Sequence, residues 1–250
     1  MSTGGDVALI LVGHGSARLP DSAAPILALA DQLRRRGPWR EVEAVFMKQS
    51  PGLDGALGRV SAATVVVVPV FAGKGYYTDQ LIPHAMGLDG PVTRRDGRTI
   101  LYTPPAGTHP RIPALLTARA EAVARADGLA PADCSLLVVA HGSSRPGGAG
   151  DTPRTITAAI AALGRFGEVA LAFLEQDPFA ADWKRLVSGR ELVVLPLLVA
   201  QGTHASEDIP PLFTPEAAAP TRARLASGLG AEPELVEIVA EMAEDALITA

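Results

Sequence analysis

The sequence contains one cysteine, no long apolar run and no basic run longer than three residues. The cysteine, Cys134, cannot form an internal disulfide, so no disulfide framework holds the fold together. We interpret it as a small residue at the edge of the core, because it closely precedes the apolar stretch 136–140. The longest apolar runs, 65–72 and 192–200, are far shorter than the roughly 18 residues that favour a membrane helix. We therefore expect no helix that crosses a bilayer.

The lack of a targeting segment and of long basic runs narrows the location and the partners. Residues 1–6 include no basic segment of the kind that opens a secretory signal. Together with the single cysteine, this favours a cytoplasmic location. The formal net charge is −5 and no basic run exceeds three residues, which argues against nucleic acid as a partner.

Several common nucleotide-binding and catalytic motifs are also absent. Neither Gly-x-Gly-x-x-Gly nor Gly-x-x-x-x-Gly-Lys occurs, so we predict no bound nucleotide and no organic cofactor. The helical His-Glu-x-x-His of many zinc proteases is missing, and so is the Gly-x-Ser-x-Gly of many serine hydrolases. Neither hydrolase class is favoured.

The length and composition are those of a globular protein with one large or two small domains. The chain has 250 residues, of which 48% are hydrophobic and 20% are charged. A tandem repeat decides between the two arrangements. His14-Gly15-Ser16 recurs 127 positions later as His141-Gly142-Ser143, and residues 46, 49 and 51 recur at 173, 176 and 178. We place a linker at 128–133, which gives repeats at 1–128 and 134–250.

Alternating apolar and helical segments predict an α/β fold for each repeat. In the first repeat, strands at 6–13, 41–47, 64–71 and 99–103 alternate with helices at 21–36, 51–60, 78–86 and 110–127. Short apolar runs bounded by turn residues are typical of buried parallel strands. We predict two tandem flavodoxin-like units related by a pseudo-twofold axis. Each unit is expected to have a roughly four-stranded parallel sheet flanked by helices, with right-handed crossovers.

Three successive strands of the second repeat end in potential metal ligands: His141, Glu175 and His204. The carboxyl ends of parallel strands meet at one edge of the sheet, where ligands bind in such folds. Two imidazoles and a carboxylate suit a first-row divalent ion and equally serve as bases. Taken singly, each histidine would also suit backbone bonding in its glycine-flanked loop, and Glu175 would suit the surface. Together at one edge, they predict a functional site.

The matching positions in the first repeat carry different chemistry. They hold His14, Lys48 and Tyr77. A protonated lysine cannot bind a metal, and a phenol is a poor ligand near neutral pH. We therefore predict that the first repeat has no metal site of its own. Three basic residues near the loops are candidates for binding an anionic substrate through charge-assisted bonds, namely Lys74, Arg145 and Arg154.

These motifs resemble those of the class II chelatases of the CbiX/SirB type. The resemblance covers both halves and rests on three stretches that occur in order, 141–145 (HGSSR), 173–178 (FLEQDP) and 196–210 (PLLVAQGTHASEDIP). Chelatases of this type insert cobalt or iron into sirohydrochlorin on the way to cobalamin or sirohaem. The family includes short forms that dimerise and long forms that fuse two units, and this chain resembles a long form.

The resemblance implies roles for most of the residues named above. His141 and His204 match the catalytic histidine pair of the family, and Glu175 matches an acidic residue that related chelatases use at the metal. The metal is a substrate, Co²⁺, Fe²⁺ or Ni²⁺, and the polyanionic sirohydrochlorin requires local cations such as the basic residues above. In the first repeat, His14, Lys48 and Tyr77 are candidates for one wall of a shared cleft, and the alternative is a site that serves another tetrapyrrole.

The chain also departs from the family pattern. Long forms usually keep the histidine pair in the N-terminal half, whereas here the complete set lies in the second repeat. A non-catalytic metal or tetrapyrrole carrier would use the same ligands, and a zinc hydrolase with two histidines and one glutamate is chemically compatible. Both a monomer of two fused units and a homodimer fit the sequence.

Overall fold

The computed structural model describes residues 6–143, 150–199, 208–231 and 233–250. The chain divides into two compact units. The first unit comprises Met1–His109 and Glu232–Ala250, and the second comprises Pro110–Ala231.

The first unit is built on a five-stranded sheet with the order β2-β1-β3-β5-β4. Its strands are β1 (Val7–Gly13), β2 (Glu41–Phe46), β3 (Thr64–Pro69), β4 (Val92–Arg95) and β5 (Arg98–Tyr102). Four of them are parallel, and β4 alone pairs antiparallel, with β5. All seven residues of β1 are buried because this strand lies in the middle of the sheet with both faces covered.

The second unit repeats the parallel part of this sheet, with the order β7-β6-β8-β9. Its strands are β6 (Ser135–Ala140), β7 (Glu168–Phe173), β8 (Glu191–Leu197) and β9 (Arg222–Leu225). All neighbouring strands are parallel. All six residues of β6 are buried. The predicted pair of parallel α/β units, each with about four parallel strands, is confirmed.

Helices flank both sheets. They are α1 (Ala24–Arg36), α2 (Ile82–Met86), α3 (Ile112–Ala126), α4 (Thr152–Ala162), α5 (Pro215–Ala218) and α6 (Leu235–Thr249). The longer helices bury one apolar stripe, as in α3, where Ile112, Leu116, Ala120 and Ala124 follow each other at four-residue intervals. In the described parts of the chain, no helix is long and apolar enough to cross a membrane.

The last helix of each repeat lies in the compact unit of the other. Helix α3 ends the first repeat but belongs to the second unit, where it packs against α4 and β8. Helix α6 ends the second repeat but belongs to the first unit, where it packs against β3 and α1. The expected boundaries 1–128 and 134–250 therefore follow the sequence repeat, while the compact units divide the chain elsewhere, the first into two separate segments and the second into one continuous segment.

Two local predictions about the first unit were wrong. The stretch 51–60 was expected to be a helix, but it forms only a 3-10 turn at Ala56–Arg59. Glycines at 52, 55 and 58 disfavour a continuous helix there. The antiparallel strand β4 was not predicted. It is four residues long and mostly exposed, and an Asp96-Gly97 turn with positive φ at both residues joins it to β5.

The interpretation of Cys134 as a core-edge residue is confirmed. The side chain is buried, with 1% of its surface exposed, and its Sγ lies 3.6 Å from the carbonyl oxygen of Ala130. Burial raises the pKa of the thiol. A raised pKa keeps the thiol protonated and unreactive near neutral pH.

The start of β2 and of β7 carries the same glutamate–serine contact. In the first unit, the Ser61 hydroxyl donates to Glu41 at 2.7 Å. In the second, Glu168 accepts from the Ser188 backbone N–H at 2.9 Å and from the Ser135 hydroxyl at 3.0 Å. The Ser188 N–H is the largest cause of a lowered pKa of Glu168. Hydrogen-bond donors that favour the ionised carboxylate lower its pKa. The bond from Ser188 also joins β7 to the loop before β8.

We expect Glu168→Gln to lower the melting temperature at pH 7 and to have less effect in acid. The pKa of Glu168 is lower in the folded protein than in the unfolded chain, so its stabilisation is present above an unfolded pKa of about 4.3. That stabilisation is lost as the pH falls through the folded pKa. Melting curves from pH 3 to pH 7 test this, with the exposed Glu244→Gln on α6 as control. A constant difference between wild type and Glu168→Gln at every pH would contradict it.

The loops after β1 and β6 share one conformation. Gly15 and Gly142 both have positive φ, at 64° and 82°. The backbone N–H of the following serine donates to a glutamine side chain in each case, Ser16 to Gln49 Oε1 at 2.8 Å and Ser143 to Gln176 Oε1 at 2.9 Å. A Cβ added at Gly142 would lie 3.0 Å from both Phe173 Cβ and Gln176 Cγ. Glycine is thus required by its conformation and by the lack of space.

We expect Gly142→Ala to destabilise the protein by about 2–3 kcal/mol, because positive φ and close packing both oppose a side chain. The matched control is Gly164→Ala, which also has positive φ, at 61°, but has open space around its Cα. The control should cost only about 1 kcal/mol. Thermal melts compare the two variants, and equal shifts would show that packing at Gly142 is unimportant.

Candidate active site

His141 and Glu175 come together at the carboxyl edge of the second unit's sheet. His141 directly follows β6, and Glu175 lies two residues beyond the end of β7, its parallel neighbour. The imidazole Nδ1 is 3.8 Å from the Glu175 Oε2. This distance is too long for a hydrogen bond but short enough for electrostatic attraction. The side chains are 37% and 45% exposed, so both are accessible to a ligand.

The orientation of the His141 ring is set by its own loop. Nδ1 lies 3.1 Å from the carbonyl oxygen of Gly142. A carbonyl can only accept, so this hydrogen bond needs the proton on Nδ1. The Nε2 atom then carries the lone pair that can bind a cation or accept a proton. Glu175 lies on the Nδ1 side of the ring.

The backbone also connects the two residues. The N–H of Glu175 donates to the carbonyl oxygen of His141 at 2.9 Å, and the N–H of Leu174 donates to that of Ala140 at 3.0 Å. These bonds extend the pairing of β6 with β7 past the ends of the strands. The two loops are therefore held side by side independently of the side chains.

Two of the predicted site residues, His204 and Arg145, lie outside the described residues. Within 6–143, 150–199, 208–231 and 233–250, no group of three histidine, cysteine, aspartate or glutamate side chains lies close enough to hold a metal ion. The described part of the second unit contributes two of the three predicted ligands, His141 and Glu175. The third predicted ligand is His204.

Arg154 places a positive charge near the same edge. It is an exposed residue of α4, and its Cζ lies 5.7 Å from the centre of the Phe173 ring. Phe173 is the last residue of β7, two positions before Glu175. A guanidinium over an aromatic face is held by a cation–π interaction. Its position suits it to bind a carboxylate of a ligand at this edge.

The same edge of the first unit carries an aromatic cluster around His14. The His14 Nδ1 lies 2.8 Å from the Gly15 carbonyl oxygen, so the tautomer is the same as at His141. Here, however, the ring packs edge-on against Tyr77 at 5.4 Å and Phe71 at 6.4 Å between centroids. Lys48 occupies the position of Glu175 and its backbone N–H donates to His14 O at 3.0 Å. The backbone hydrogen bond is the same in the two units, but the carboxylate of Glu175 is replaced by the ammonium group of Lys48.

The segment after β3 supports this cluster. The Tyr102 hydroxyl donates to the Thr78 carbonyl oxygen at 2.7 Å, and burial raises the pKa of Tyr102, so the phenol stays protonated. Thr78 follows Tyr77 directly, and Tyr76 is 44% exposed beside it. Lys74 is also exposed. This edge therefore presents aromatic rings and lysines, which suit a flat anionic molecule better than a metal ion.

The sequence reasoning did not assign a role to Gln176 or to Phe71. The sequence does single out Gln176, because Gln49 stands at the equivalent position of the first repeat. Its contact with the backbone of the His141 loop depends on side-chain geometry, which the repeat alone does not reveal.

A model of the protein family described as CbiX matches the chain twice, over residues 8–123 and 135–246. A protein of Halobacterium salinarum named probable sirohydrochlorin cobaltochelatase is 31% identical over 96% of this chain and 91% of its own length. A protein of Methanothermobacter thermautotrophicus named sirohydrochlorin cobaltochelatase is 34% identical over 45% of this chain and 90% of its own length. The second relative therefore matches about one repeat.

Solved structures agree with these sequence matches. CbiX, described as the terminal enzyme for biosynthesis of siroheme in denitrifying bacteria, is 25% identical, with a TM-score of 0.67 over 98% of this chain and 99% of its own. DR2241 from Deinococcus radiodurans, a multi-domain protein with structural similarity to chelatases, is 30% identical, with a TM-score of 0.78 over 95% of this chain and 54% of its own. The sirohydrochlorin chelatase SirB from Bacillus subtilis subspecies spizizenii, solved with cobalt, shares the fold at 19% identity, with a TM-score of 0.71 over 96% of this chain and 95% of its own.

The resemblance to chelatases of the CbiX/SirB type is therefore confirmed, and the names of the relatives agree with the predicted chelatase activity. The family model matches both repeats and leaves little of the chain outside it. The chain belongs to the CbiX family and contains two tandem copies of its unit.

Proposed function

We propose that this chain inserts a divalent cation, Co²⁺ or Fe²⁺, into sirohydrochlorin at the edge of the second unit. The observation that carries the proposal is the pairing of His141 with Glu175 at 3.8 Å, in a chain of the CbiX family. The same nitrogen and oxygen donors would also accept Ni²⁺. The metal and the tetrapyrrole are both substrates, and the proposed reaction needs no organic cofactor.

Insertion requires the macrocycle to lose its pyrrole protons while the cation leaves its previous ligands. In our proposal the Nε2 atom of His141 binds the cation or accepts a proton, because Nδ1 donates to the Gly142 carbonyl oxygen and Nε2 then carries the lone pair. Glu175 stabilises the positive charge on either the metal or the imidazolium. His204 acts as the second histidine of the catalytic pair.

The anionic macrocycle needs cations and flat surfaces. We assign Arg154 and Arg145 to its carboxylates in the second unit. In the first unit, Lys74, Tyr77 and His14 are our candidates for binding a flat anionic molecule, since that edge presents lysine and aromatic side chains. We further propose a cytoplasmic protein that acts as a monomer of two units or as a homodimer, without a nucleic acid or membrane partner.

We expect His141→Ala and His204→Ala to lower the rate of cobalt insertion at least 100-fold, because each removes a proposed ligand and base. Glu175→Gln should reduce the rate by about 10-fold or more, since it removes only the charge. Tyr77→Phe should keep the rate within about threefold, because it preserves the ring that packs on His14. The measurement is the absorbance change of sirohydrochlorin with purified protein and Co²⁺ or Fe²⁺.

Two results would contradict the proposal in different ways. Equal losses in His141→Ala and Tyr77→Phe would refute the assignment of the catalytic residues to the second unit. Stoichiometric Co²⁺ binding without any turnover would instead indicate a metal or tetrapyrrole carrier with the same ligands.

A further inference from the structure

We propose that Gln176 is a positioning residue that fixes the His141 loop relative to Glu175 and so sets the geometry of the metal-binding pair. The inference rests on the proposed function only in naming the cation. Its structural basis is a side-chain to backbone bond that links the two loops of the candidate site.

Gln176 directly follows Glu175 and reaches across to the neighbouring loop. Its Oε1 accepts a hydrogen bond from the Ser143 N–H at 2.9 Å. On the other side of Gly142, the His141 carbonyl oxygen accepts from the Glu175 N–H at 2.9 Å. Two consecutive residues of one loop therefore hold both ends of the three-residue turn that carries the histidine.

Gly142 is the point about which this turn would otherwise rotate. Its φ of 82° is accessible to glycine at little cost, but glycine also allows many other conformations. The Gln176 side chain restricts Gly142 in two ways. Its Oε1 accepts from the N–H of the next residue, Ser143, and its Cγ lies 3.0 Å from the position that a Cβ at Gly142 would take. The same turn places the Gly142 carbonyl oxygen against Nδ1 of His141. Gln176 therefore acts on the ring through the backbone.

The first unit contains the same glutamine-to-backbone hydrogen bond but lacks the histidine–glutamate pair. Gln49 Oε1 accepts from the Ser16 N–H at 2.8 Å, and Gly15 has the same positive φ. The residue before Gln49 is Lys48, where the second unit has Glu175. A purely structural role predicts the same consequences in both units, whereas a positioning role predicts a loss of metal affinity only in the second.

The test is a Co²⁺ titration of folded, purified variants by calorimetry. Gln176→Leu keeps the bulk of the side chain but removes the acceptor, and we expect it to weaken Co²⁺ binding about 10-fold, as for other groups that orient metal ligands. Gln176→Glu keeps an oxygen acceptor at the same place. We expect its affinity for Co²⁺ to be at least one third of the wild-type affinity. The matched control Gln49→Leu should bind within twofold of wild type. In turnover assays, Gln176→Leu should raise the KM for Co²⁺ and leave the KM for sirohydrochlorin unchanged.

Several outcomes would overturn the inference. They are unchanged Co²⁺ affinity in Gln176→Leu, equal weakening in Gln49→Leu, and failure of Gln176→Glu to retain binding. Should Gln176→Leu not fold, Gln176→Asn, which is one methylene too short, must show the same weakening. The affinities decide the inference even if no variant and no wild-type protein turns over sirohydrochlorin, which would defeat only the proposed function. Wild-type Co²⁺ binding that survives His141→Ala would defeat both.

Discussion

The parallel pairing of β6 with β7 is the constraint on which the candidate site depends. The register sets Ala140 opposite Phe173, so both strands end at the same level of the sheet. Backbone bonds continue for two residues beyond that level and hold His141 beside Glu175. A shift of this register by one residue would turn every side chain of β7 to the opposite face, and the strand is buried at its end, so such a shift is strongly disfavoured.

The duplicated scaffold separates what the backbone requires from what the chemistry requires. The register Gly13 opposite Phe46 in the first unit is equivalent to that in the second. The turn after β1 has the same glycine conformation and the same glutamine contact as the turn after β6. These common features serve the fold of the loop. The features that differ, a lysine for a carboxylate and a tyrosine beside the imidazole, give the two edges different chemistry.

Much of the architecture could be predicted from the sequence, because buried parallel strands correspond to short apolar runs bounded by turn residues. The strand β4 escaped this reasoning since an edge strand of four mostly exposed residues has no such run, although its Asp96-Gly97 turn is a usable signal. The predicted helix at 51–60 does not form, because the three glycines in this stretch oppose a helix more strongly than the proline at its start favours one. The exchange of α3 and α6 could not be predicted, since each helix has an apolar stripe that fits either sheet.

The site could be predicted to the level of which loops meet. Strand order and chain direction suffice to bring position 141 near position 175. The direction of the imidazole could not be predicted, because it follows from the φ of Gly142 and from a carbonyl group rather than from any residue type. The role of Gln176 was missed for a similar reason, since a polar residue after a strand is ordinarily read as exposed.

The placement of α3 and α6 also determines when each unit can be completed during synthesis. The first unit lacks its helix α6 until residues 235–249 have left the ribosome, although its five strands are made first. The second unit receives α3 before any of its strands exist and can be completed earlier. Domains ordinarily fold in the order of translation. In this chain all elements of the second unit are made before the first unit has its last helix, and neither 1–128 nor 134–250 alone contains all the elements of a finished unit.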